Sequence, residues 1–165
     1  FELNKFLKDN NTVIYLRPHI NDTNKSKQKW LQFFNEINCS EIKSMTFMDL
    51  QDINLFLPIT SVLITDYSTI YTDAMLLNIP MIFIPYDIDT YKKKRGLVYD
   101  YESVTAGDKV LNQKDLIISI KKILDFNNIH NNKLTNLKRK FHKFEDGNSS
   151  KRVMAILKSK INKQF

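Results

Sequence analysis

Three clusters of polar residues carry the side chains that could do chemistry, and the first is Arg17-Pro18-His19. It directly follows a β-rich run at residues 12–17, so the fixed φ of the proline aims the imidazole outward from the edge of a sheet. A histidine in that position can donate to a phosphate oxygen or shuttle a proton near neutral pH. By itself, the cluster is described equally well as a loop whose histidine has no special role.

The second cluster is residues 65–69 (Thr-Asp-Tyr-Ser-Thr), followed by Asp73. A strand that runs straight into a helix presents free backbone N–H groups and a partial positive charge, and the hydroxyls of Ser68 and Thr69 extend this donor set. The turn is therefore suited to a phosphate. Asp73 lies one helical turn further on the same side and could accept from a ribose or polyol hydroxyl. Spacing alone favours the simpler alternative, an ordinary capped helix start.

The third cluster occupies residues 142–152 and combines a helix end, a glycine turn and a capped helix start. Its exposed amides and the hydroxyls of Ser149 and Ser150 could face an anion. His142 and Arg152 could supply positive charge. A plain helix–helix turn would look nearly the same.

A run of basic residues at 92–95 (Lys-Lys-Lys-Arg) is typical of a solvated loop, and beside two phosphate sites it could instead be a flexible lid over an anionic ligand. No Walker loop, glycine-rich dinucleotide loop or Ser-His-Asp order is present. The three histidines show no metal-ligand spacing, and a single cysteine, Cys39, excludes a cysteine-rich zinc site. The sequence predicts no metal site.

The elements that must position these clusters alternate between strands and helices in the first half of the chain. Strands are predicted at residues 12–17, 45–48, 62–65 and 80–85, and helices at 26–37, 52–57 and from the turn at 66–68 to about Leu77. This alternation predicts an α/β fold with a Rossmann-like, doubly wound parallel sheet. Ligands bind such sheets beyond the carboxyl ends of the strands, where the clusters fall.

The second half of the chain has a different pattern. Residues 86–108 form a polar, tyrosine-rich connection with a short extended piece at 97–101. Asn112 is the expected N-cap of a helix, and helices at 134–144 and 149–161 follow. Residues 112–165 are therefore the C-terminal helices of what we expect to be one domain, residues 1–165.

Composition narrows the classes of protein further. The chain has 165 residues, is 42% hydrophobic and 26% charged, and its longest apolar runs are far shorter than the ~20 residues that span a bilayer. One cysteine fits a reducing cytoplasm. The net charge of +7 favours phosphate-rich ligands or an anionic membrane surface, although a lysine-rich solvated surface explains it more simply. No nucleic-acid-binding signature is visible. Because the chain starts at Phe1 without a signal segment, we expect a piece of a longer protein.

Taken in order, several segments resemble the CDP-glycerol glycerophosphotransferase family, the polymerases and primases of teichoic acids and related capsule polymers. The matching pieces are residues 16–19, 63–73, 79–87, Tyr91, Arg95-Gly96, 99–101 and 146–152. They cover the chain from about residue 12 to 155. Two positions depart from the family pattern: Thr69 replaces the usual second serine, and Thr105-Ala106-Gly107 replaces the usual Pro-Gly.

The resemblance implies a fold similar to GT-B glycosyltransferases, with this chain as the C-terminal, nucleotide-donor half and the N-terminal acceptor half absent. It implies His19 as the catalytic residue. It also implies that the donor's phosphates and polyol are contacted by Arg17, Pro18, Ser68, Thr69 and Asp73, with further substrate contacts at Arg95, His142, Ser149, Ser150 and Arg152.

The implied reaction is transfer of a polyol phosphate from CDP-glycerol or CDP-ribitol to a lipid-linked polymer, with release of CMP. The donor is a substrate, and no other cofactor is implied. The isolated chain is expected to fold without turnover, and the whole enzyme is expected at the inner face of the bacterial membrane, attached peripherally through the basic last helix. A sugar-nucleotide glycosyltransferase domain, or a non-catalytic anion-binding or docking domain, remains the alternative.

Overall fold

The strands form two parallel sheets in the computed structural model, which describes residues 2–37, 39–125 and 132–161 and, for residues 20–27, the backbone alone. Strands β1 (Ile14–Leu16) and β2 (Ile42–Ser44) pair with Ile14 opposite Ile42. The second sheet has the order β3-β4-β5, from Leu63–Thr65, Met81–Phe83 and Gly107–Lys109. Every pairing is parallel, so the predicted α/β fold with parallel strands is confirmed.

Eight helices connect and cover these strands in the described part of the chain. They are α1 (Glu2–Asp9), α2 (Ile20–Ile37), α3 (Ile70–Leu76), α4 (Ile88–Lys94), α5 (Tyr101–Val104), α6 (Gln113–Asp125), α7 (Asn132–Phe141) and α8 (Ser149–Ile161). Two short 3-10 turns at Ile53–Leu55 and Leu57–Ile59 precede β3. Of the helices that the structure describes, none combines the length and apolarity needed to cross a membrane.

Strand β4 is the centre of the core because all three of its residues are buried. Successive side chains of a strand point to opposite faces, so Met81 and Phe83 pack on one face and Ile82 on the other. The first face is covered by α3 and α7, with Ala74 and Leu137 among its buried residues. The second face is covered chiefly by α6. Helices on both faces are what a buried parallel sheet requires.

Helices α3 and α7 run antiparallel, which two hydrogen bonds establish. Lys138 Nζ donates to the carbonyl oxygen of Leu76 at 3.0 Å, near the end of α3. One turn later, His142 Nε2 contacts the carbonyl oxygen of Thr72 at 2.7 Å, near the start of α3. Because α3 begins where β3 ends, the end of α7 lies at the carboxyl edge of the strands.

The structure corrects the predicted second strand, which lies at Ile42–Ser44 and not at residues 45–48. The apolar residues of 45–48 suggested a strand, but the carboxylate of Asp49 accepts hydrogen bonds from the Thr46 backbone N–H at 2.7 Å and its hydroxyl at 2.8 Å. These bonds close a turn that ends the strand before Thr46.

The structure also corrects the long connection predicted at residues 86–108, which contains α4, α5 and β5. The extended piece expected at 97–101 is wrong, because Asp100 caps α5 by accepting from the Ser103 backbone N–H at 2.9 Å. By contrast, Asn112 caps α6 as expected, accepting from the Asp115 N–H at 2.9 Å. The last helix has its predicted bounds, whereas α7 ends at Phe141, before the predicted residue 144.

Candidate functional site

The turn between β3 and α3 presents hydrogen-bond donors to solvent. The carboxylate of Asp66 accepts from the Ser68 backbone N–H at 3.1 Å, and the Ser68 hydroxyl oxygen lies 3.5 Å from the Ile70 nitrogen. Ser68 and Thr69 are both exposed. Within the described residues, neither the backbone N–H nor the hydroxyl of Thr69 has a hydrogen-bond partner. This turn therefore keeps free donors that could meet a phosphate oxygen.

Tyr67 anchors the turn to the next loop of the sheet. Its hydroxyl donates to the Asp87 carboxylate at 2.9 Å and accepts from the Asp87 backbone N–H at 3.2 Å. Its ring stacks on Tyr91 of α4, with the centroids 4.2 Å apart. Burial, together with the hydrogen bond to Asp87, raises the pKa of Tyr67 to about 12. The phenol therefore keeps its proton, and both hydrogen bonds, at any physiological pH.

A second tyrosine fixes the backbone of the same turn. The hydroxyl of Tyr101, the first residue of α5, donates to the carbonyl oxygen of Asp66 at 2.9 Å. Tyr101 is buried and its burial raises its pKa, so this donor is also permanent. The anchoring hydrogen bonds of Tyr67 and Tyr101 were not predicted from the sequence. The available signal was the number of tyrosines between residues 67 and 101.

His142 brings the third polar cluster to the second. Its Nε2 contacts the Thr72 carbonyl oxygen at 2.7 Å, and since a carbonyl only accepts, Nε2 carries the proton. Asp73, the next residue of α3, is half-buried. The contact therefore places His142 beside Thr72, the residue before Asp73, which is the aspartate expected to bind the polyol. The other ring nitrogen of His142 takes no part in this hydrogen bond.

The segment after α7 is organised by an ion pair. Arg152 donates to both carboxylate oxygens of Asp146 at 2.9 Å, and its guanidinium lies 3.9 Å from the centre of the Phe144 ring. The hydrogen bond from Arg152 lowers the pKa of Asp146 below its ordinary range. Arg152 thus has a partner within the chain. Ser149 and Ser150 are exposed at the start of α8.

The remaining predicted residues lie at two further strand or helix ends. Arg17 donates to the carbonyl oxygens of Thr46 at 3.4 Å and Gln51 at 3.3 Å; Pro18 is half-buried and His19 is exposed. Since β1 pairs with β2 and not with β3, this cluster and the β3–α3 turn lie at the ends of strands in different sheets.

Arg95 follows α4 and lies four residues, one helical turn, beyond the Tyr91 that stacks on Tyr67. Ser68, Thr69 and Asp73 share the start of α3, and the contact with Thr72 brings His142 beside them. Arg95 lies just after the neighbouring helix α4. Among the residues described, no group of three or more His, Cys, Asp or Glu side chains could hold a metal.

Comparison with known proteins identifies the family. The family model described as CDP-Glycerol:Poly(glycerophosphate) glycerophosphotransferase matches residues 1–159. The chain belongs to this family. The predicted resemblance is therefore confirmed.

Two relatives of this glycerophosphotransferase family illustrate the likeness. The teichoic acid glycerol-phosphate transferase of Staphylococcus aureus is 37% identical over 106 residues, which cover 64% of this chain and 27% of that protein. The teichoic acid ribitol-phosphate polymerase TarL of the same species is 27% identical over 157 residues, covering 94% of this chain and 25% of that protein. The chain thus spans about a quarter of the length of these relatives.

The fold is also that of a solved member of the group. The wall teichoic acid polymerase TagF matches with a TM-score of 0.68 and 25% sequence identity, over 99% of this chain and 38% of that chain. This match confirms the predicted GT-B-like architecture. The match holds although the strands of this chain form two sheets, β1-β2 and β3-β4-β5.

Proposed function

We propose that this chain is the nucleotide-donor-binding half of a CDP-polyol transferase that adds polyol phosphate to teichoic acid or a related capsule polymer. Membership of the glycerophosphotransferase family over residues 1–159 carries the proposal. The free donors of the β3–α3 turn support it, because a donor with a diphosphate needs N–H and O–H groups at its oxygens. Glycerol and ribitol both remain candidates, since relatives named for each polyol match this chain.

The transfer would proceed by in-line attack. An oxygen of the acceptor hydroxyl forms a bond to the phosphorus that bears the polyol, and the bond from that phosphorus to the CMP oxygen breaks, so that CMP leaves with the electron pair. The proton of the attacking hydroxyl passes to a general base. Such reactions are accelerated mainly by positioning and by stabilising charge on the phosphate oxygens.

Each residue of the site has a place in this scheme. His19 would neutralise or protonate the leaving side, while Ser68 and Thr69 hold phosphate oxygens and Asp73 accepts from the polyol. Arg17 and Pro18 would orient His19. The outer contacts to the donor are assigned to Arg95, His142, Ser149, Ser150 and Arg152.

Helix α3 has only seven residues, so its dipole adds little and the hydroxyls and the free amide of Thr69 must supply most of the binding. No resident cofactor takes part in the scheme. We further propose that the isolated chain binds the donor without releasing CMP, because it spans only part of its relatives.

Membrane attachment belongs to the same proposal. All residues of α8 are at least partly exposed, and its last turn carries Lys158 and Lys160; Lys163 lies outside the described residues. Basic residues near an anionic surface contribute up to roughly 1 kcal/mol each. We therefore propose peripheral attachment at the cytoplasmic face, where the lipid-linked acceptor polymer would be met.

The test is a titration of the chain with CDP-glycerol, CDP-ribitol and UDP-glucose by calorimetry. We expect one of the two CDP-polyols to bind and the UDP-sugar to bind at least about tenfold more weakly. Preference for the UDP-sugar would favour a sugar-nucleotide transferase domain, and absence of binding by all three would favour a docking domain. Either result would overturn the proposal.

Substitutions locate the site. His19→Ala should remove a charge-assisted contact of roughly 1.5–3 kcal/mol, and Ser68→Ala about 1 kcal/mol, because the backbone amides remain. Asp73→Asn should change the choice of polyol more than the affinity for CMP. Ser40→Ala, in front of β2 at the opposite edge of the strands, is the matched control and should bind normally. His130, which would be a control for His19, lies outside the described residues.

A further inference from the structure

Two helix ends beside the β3–α3 turn carry an excess of positive charge. The last turn of α4 and the residue that follows it supply Lys92, Lys93, Lys94 and Arg95. The last turn of α7 supplies Lys140, and Lys143 lies two residues beyond that helix. We call these six residues the basic rim. All six side chains are exposed, and Lys140 Nζ also lies over neighbouring aromatic rings.

Three carboxylates near the rim have other partners. Glu145 pairs with Lys138 at 3.1 Å, and Glu102 pairs with Lys109 at 2.9 Å. Asp146 is held by Arg152, as described above. In the part of the chain that the structure describes, no ion pair joins a carboxylate to a residue of the basic rim. The rim therefore keeps an excess of positive charge that no ion pair of the described residues compensates.

Contacts between neighbouring residues connect the basic rim with the candidate site. Lys140 Nζ lies 5.2 Å from the centre of the Tyr99 ring, and that ring packs against Phe141 at 5.6 Å. Phe141 precedes His142, which contacts α3. On the other side, Tyr99 is four residues from Arg95, so their Cα atoms are at most about 14 Å apart.

Helix α4, which carries the other part of the rim, also contacts the β3–α3 turn. Tyr91, one residue before Lys92, stacks on Tyr67, and Tyr67 directly precedes Ser68. The two arms of the rim therefore leave the same turn, one along α4 and the other along α7. A ligand that extends from the turn in either direction meets cationic side chains.

We propose that the basic rim of this donor half binds part of the acceptor, a linear polymer of phosphodiesters, with several successive phosphates of a polyol-phosphate chain along it. This inference rests on the proposed function for the identity of the polymer. Charge complementarity supports it, because the polymer repeats one negative charge per unit and the rim offers several cations in a row. A surface of this kind holds a chain without reading its sequence, as basic grooves do for nucleic-acid backbones.

The packing of the aromatic rings favours a polymer over a lipid surface. Lys140 covers the ring of Tyr99, and the ring of Phe144 is covered by Arg152 at 3.9 Å and Lys143 at 5.4 Å. A ring face occupied by a cation is not presented to hydrocarbon. The basic rim also adjoins the turn where the transferred group would lie, as the growing end of an acceptor requires.

The experiment measures binding of the 165-residue chain to a synthetic glycerol-phosphate oligomer of about ten units, with neutral polyglycerol of the same length as a blank. We expect binding to the oligomer alone, weakened about fivefold or more between 50 and 200 mM salt, since counterions are released on binding. The variant K92Q/K93Q/K94Q should weaken it about tenfold, and K140Q/K143Q by several-fold.

The matched control removes equal charge elsewhere, with K43Q/K114Q/K121Q on β2 and α6. All three lysines are exposed, and none forms an ion pair with a described residue. This variant should bind the oligomer within about twofold of the unsubstituted chain. An equal loss in the control and the rim variants would mean non-specific attraction and would overturn the proposal.

Two further arms separate the other outcomes. Vesicles of phosphatidylcholine and phosphatidylglycerol (7:3) should bind equally to the unsubstituted chain and to the rim variants; a loss confined to the rim variants, with no oligomer binding, would replace the polymer by a membrane. CDP-glycerol affinity should be unchanged in the rim variants. If the oligomer binds and CDP-glycerol does not, the proposed function fails while the basic rim stands; the reverse result overturns the rim alone.

Discussion

The two parallel sheets of this chain differ in how firmly they hold the residues at their carboxyl ends. In the β3-β4-β5 sheet the central strand is wholly buried, and helices pack on both faces. In the β1-β2 sheet none of the six strand residues is buried. Parallel strand pairing is therefore closely packed in the β3-β4-β5 sheet and only lightly packed in the β1-β2 sheet.

The difference extends to the proposed site residues. The β3–α3 turn is held by the hydroxyls of Tyr67 and Tyr101, each with a hydrogen bond of 2.9 Å. Arg17, before His19, is held by two longer hydrogen bonds of 3.4 and 3.3 Å to backbone carbonyls. We infer that the β3–α3 turn, which we propose binds phosphate, is preorganised, whereas the loop that follows β1 is held less firmly.

The largest expected effect comes from removing an aromatic ring from each region. Phe83→Ala empties a fully buried position between Tyr71 and Tyr101, so the free energy of unfolding should fall by about 3–5 kcal/mol. Tyr15→Ala, on the other sheet, removes a ring that is 43% exposed and touches Phe56, and should cost about 1 kcal/mol. Denaturant unfolding measures both; equal losses would contradict the contrast.

A pair of glycines gives the next largest difference. A Cβ on Gly107 would meet the backbone carbonyl of Met81 in the neighbouring strand, so Gly107→Ala should push β5 from β4 and cost about 3 kcal/mol. Gly147 has a φ of +68° and open space around it, so Gly147→Ala should cost about 1 kcal/mol of backbone strain. Thermal unfolding separates the two variants, and a larger loss at Gly147 would refute the packing argument.

The anchor of the turn should show a smaller effect on stability. Tyr67→Phe keeps the ring stack but removes both hydrogen bonds to Asp87, which should cost about 1–2 kcal/mol and weaken donor binding several-fold. Tyr91→Phe is the matched control, since its hydroxyl makes no hydrogen bond with a described residue; it should change stability by less than about 0.5 kcal/mol. Unaltered donor affinity in Tyr67→Phe would show that the turn does not need this anchor.

The smallest effect appears only in alkaline solution. The pKa of Tyr67 is raised from an ordinary value of 10.0 to about 12, so folding favours the protonated phenol. This contribution is complete below pH 10 and is lost as the pH rises toward about 12. Unfolding measured at pH 9 and pH 11 should show a decline that is smaller in Tyr67→Phe. An identical decline in both proteins would assign it to other groups, such as Tyr101, whose pKa is also raised.

Hydrophobic runs made much of the fold predictable. The apolar residues at 62–65 and 80–85 contain β3 and β4, and the cap at Asn112 gave the start of α6. Strand β5 (Gly107–Lys109) was not predicted, because Gly-Asp-Lys has no β propensity. These residues form a strand only because β4 offers an open edge. Helix α4 was not predicted, because its sequence is polar and, of its residues, only Ile88 and Tyr91 pack against the rest of the chain.

The site was predictable at the level of motifs but not of contacts. Ser68, Thr69 and Asp73 could be proposed because a strand leads directly into a helix there. The bond between Tyr67 and Asp87 joins residues 20 apart, and the bond between His142 and Thr72 joins residues 70 apart. Such contacts depend on how helices pack, which no local pattern specifies.

The central claim, that the β3–α3 turn binds the donor, is tested most directly by amide NMR spectra of the chain during titration with CDP-glycerol. The account predicts the largest shifts at the amides of Ser68 and Thr69, with smaller ones at the amides of Asp73 and His142. It predicts little change at the cavity lined by Leu7, Thr12 and Lys43 at the other edge. Saturable shifts centred on that cavity, with the β3–α3 turn unmoved, would contradict the account.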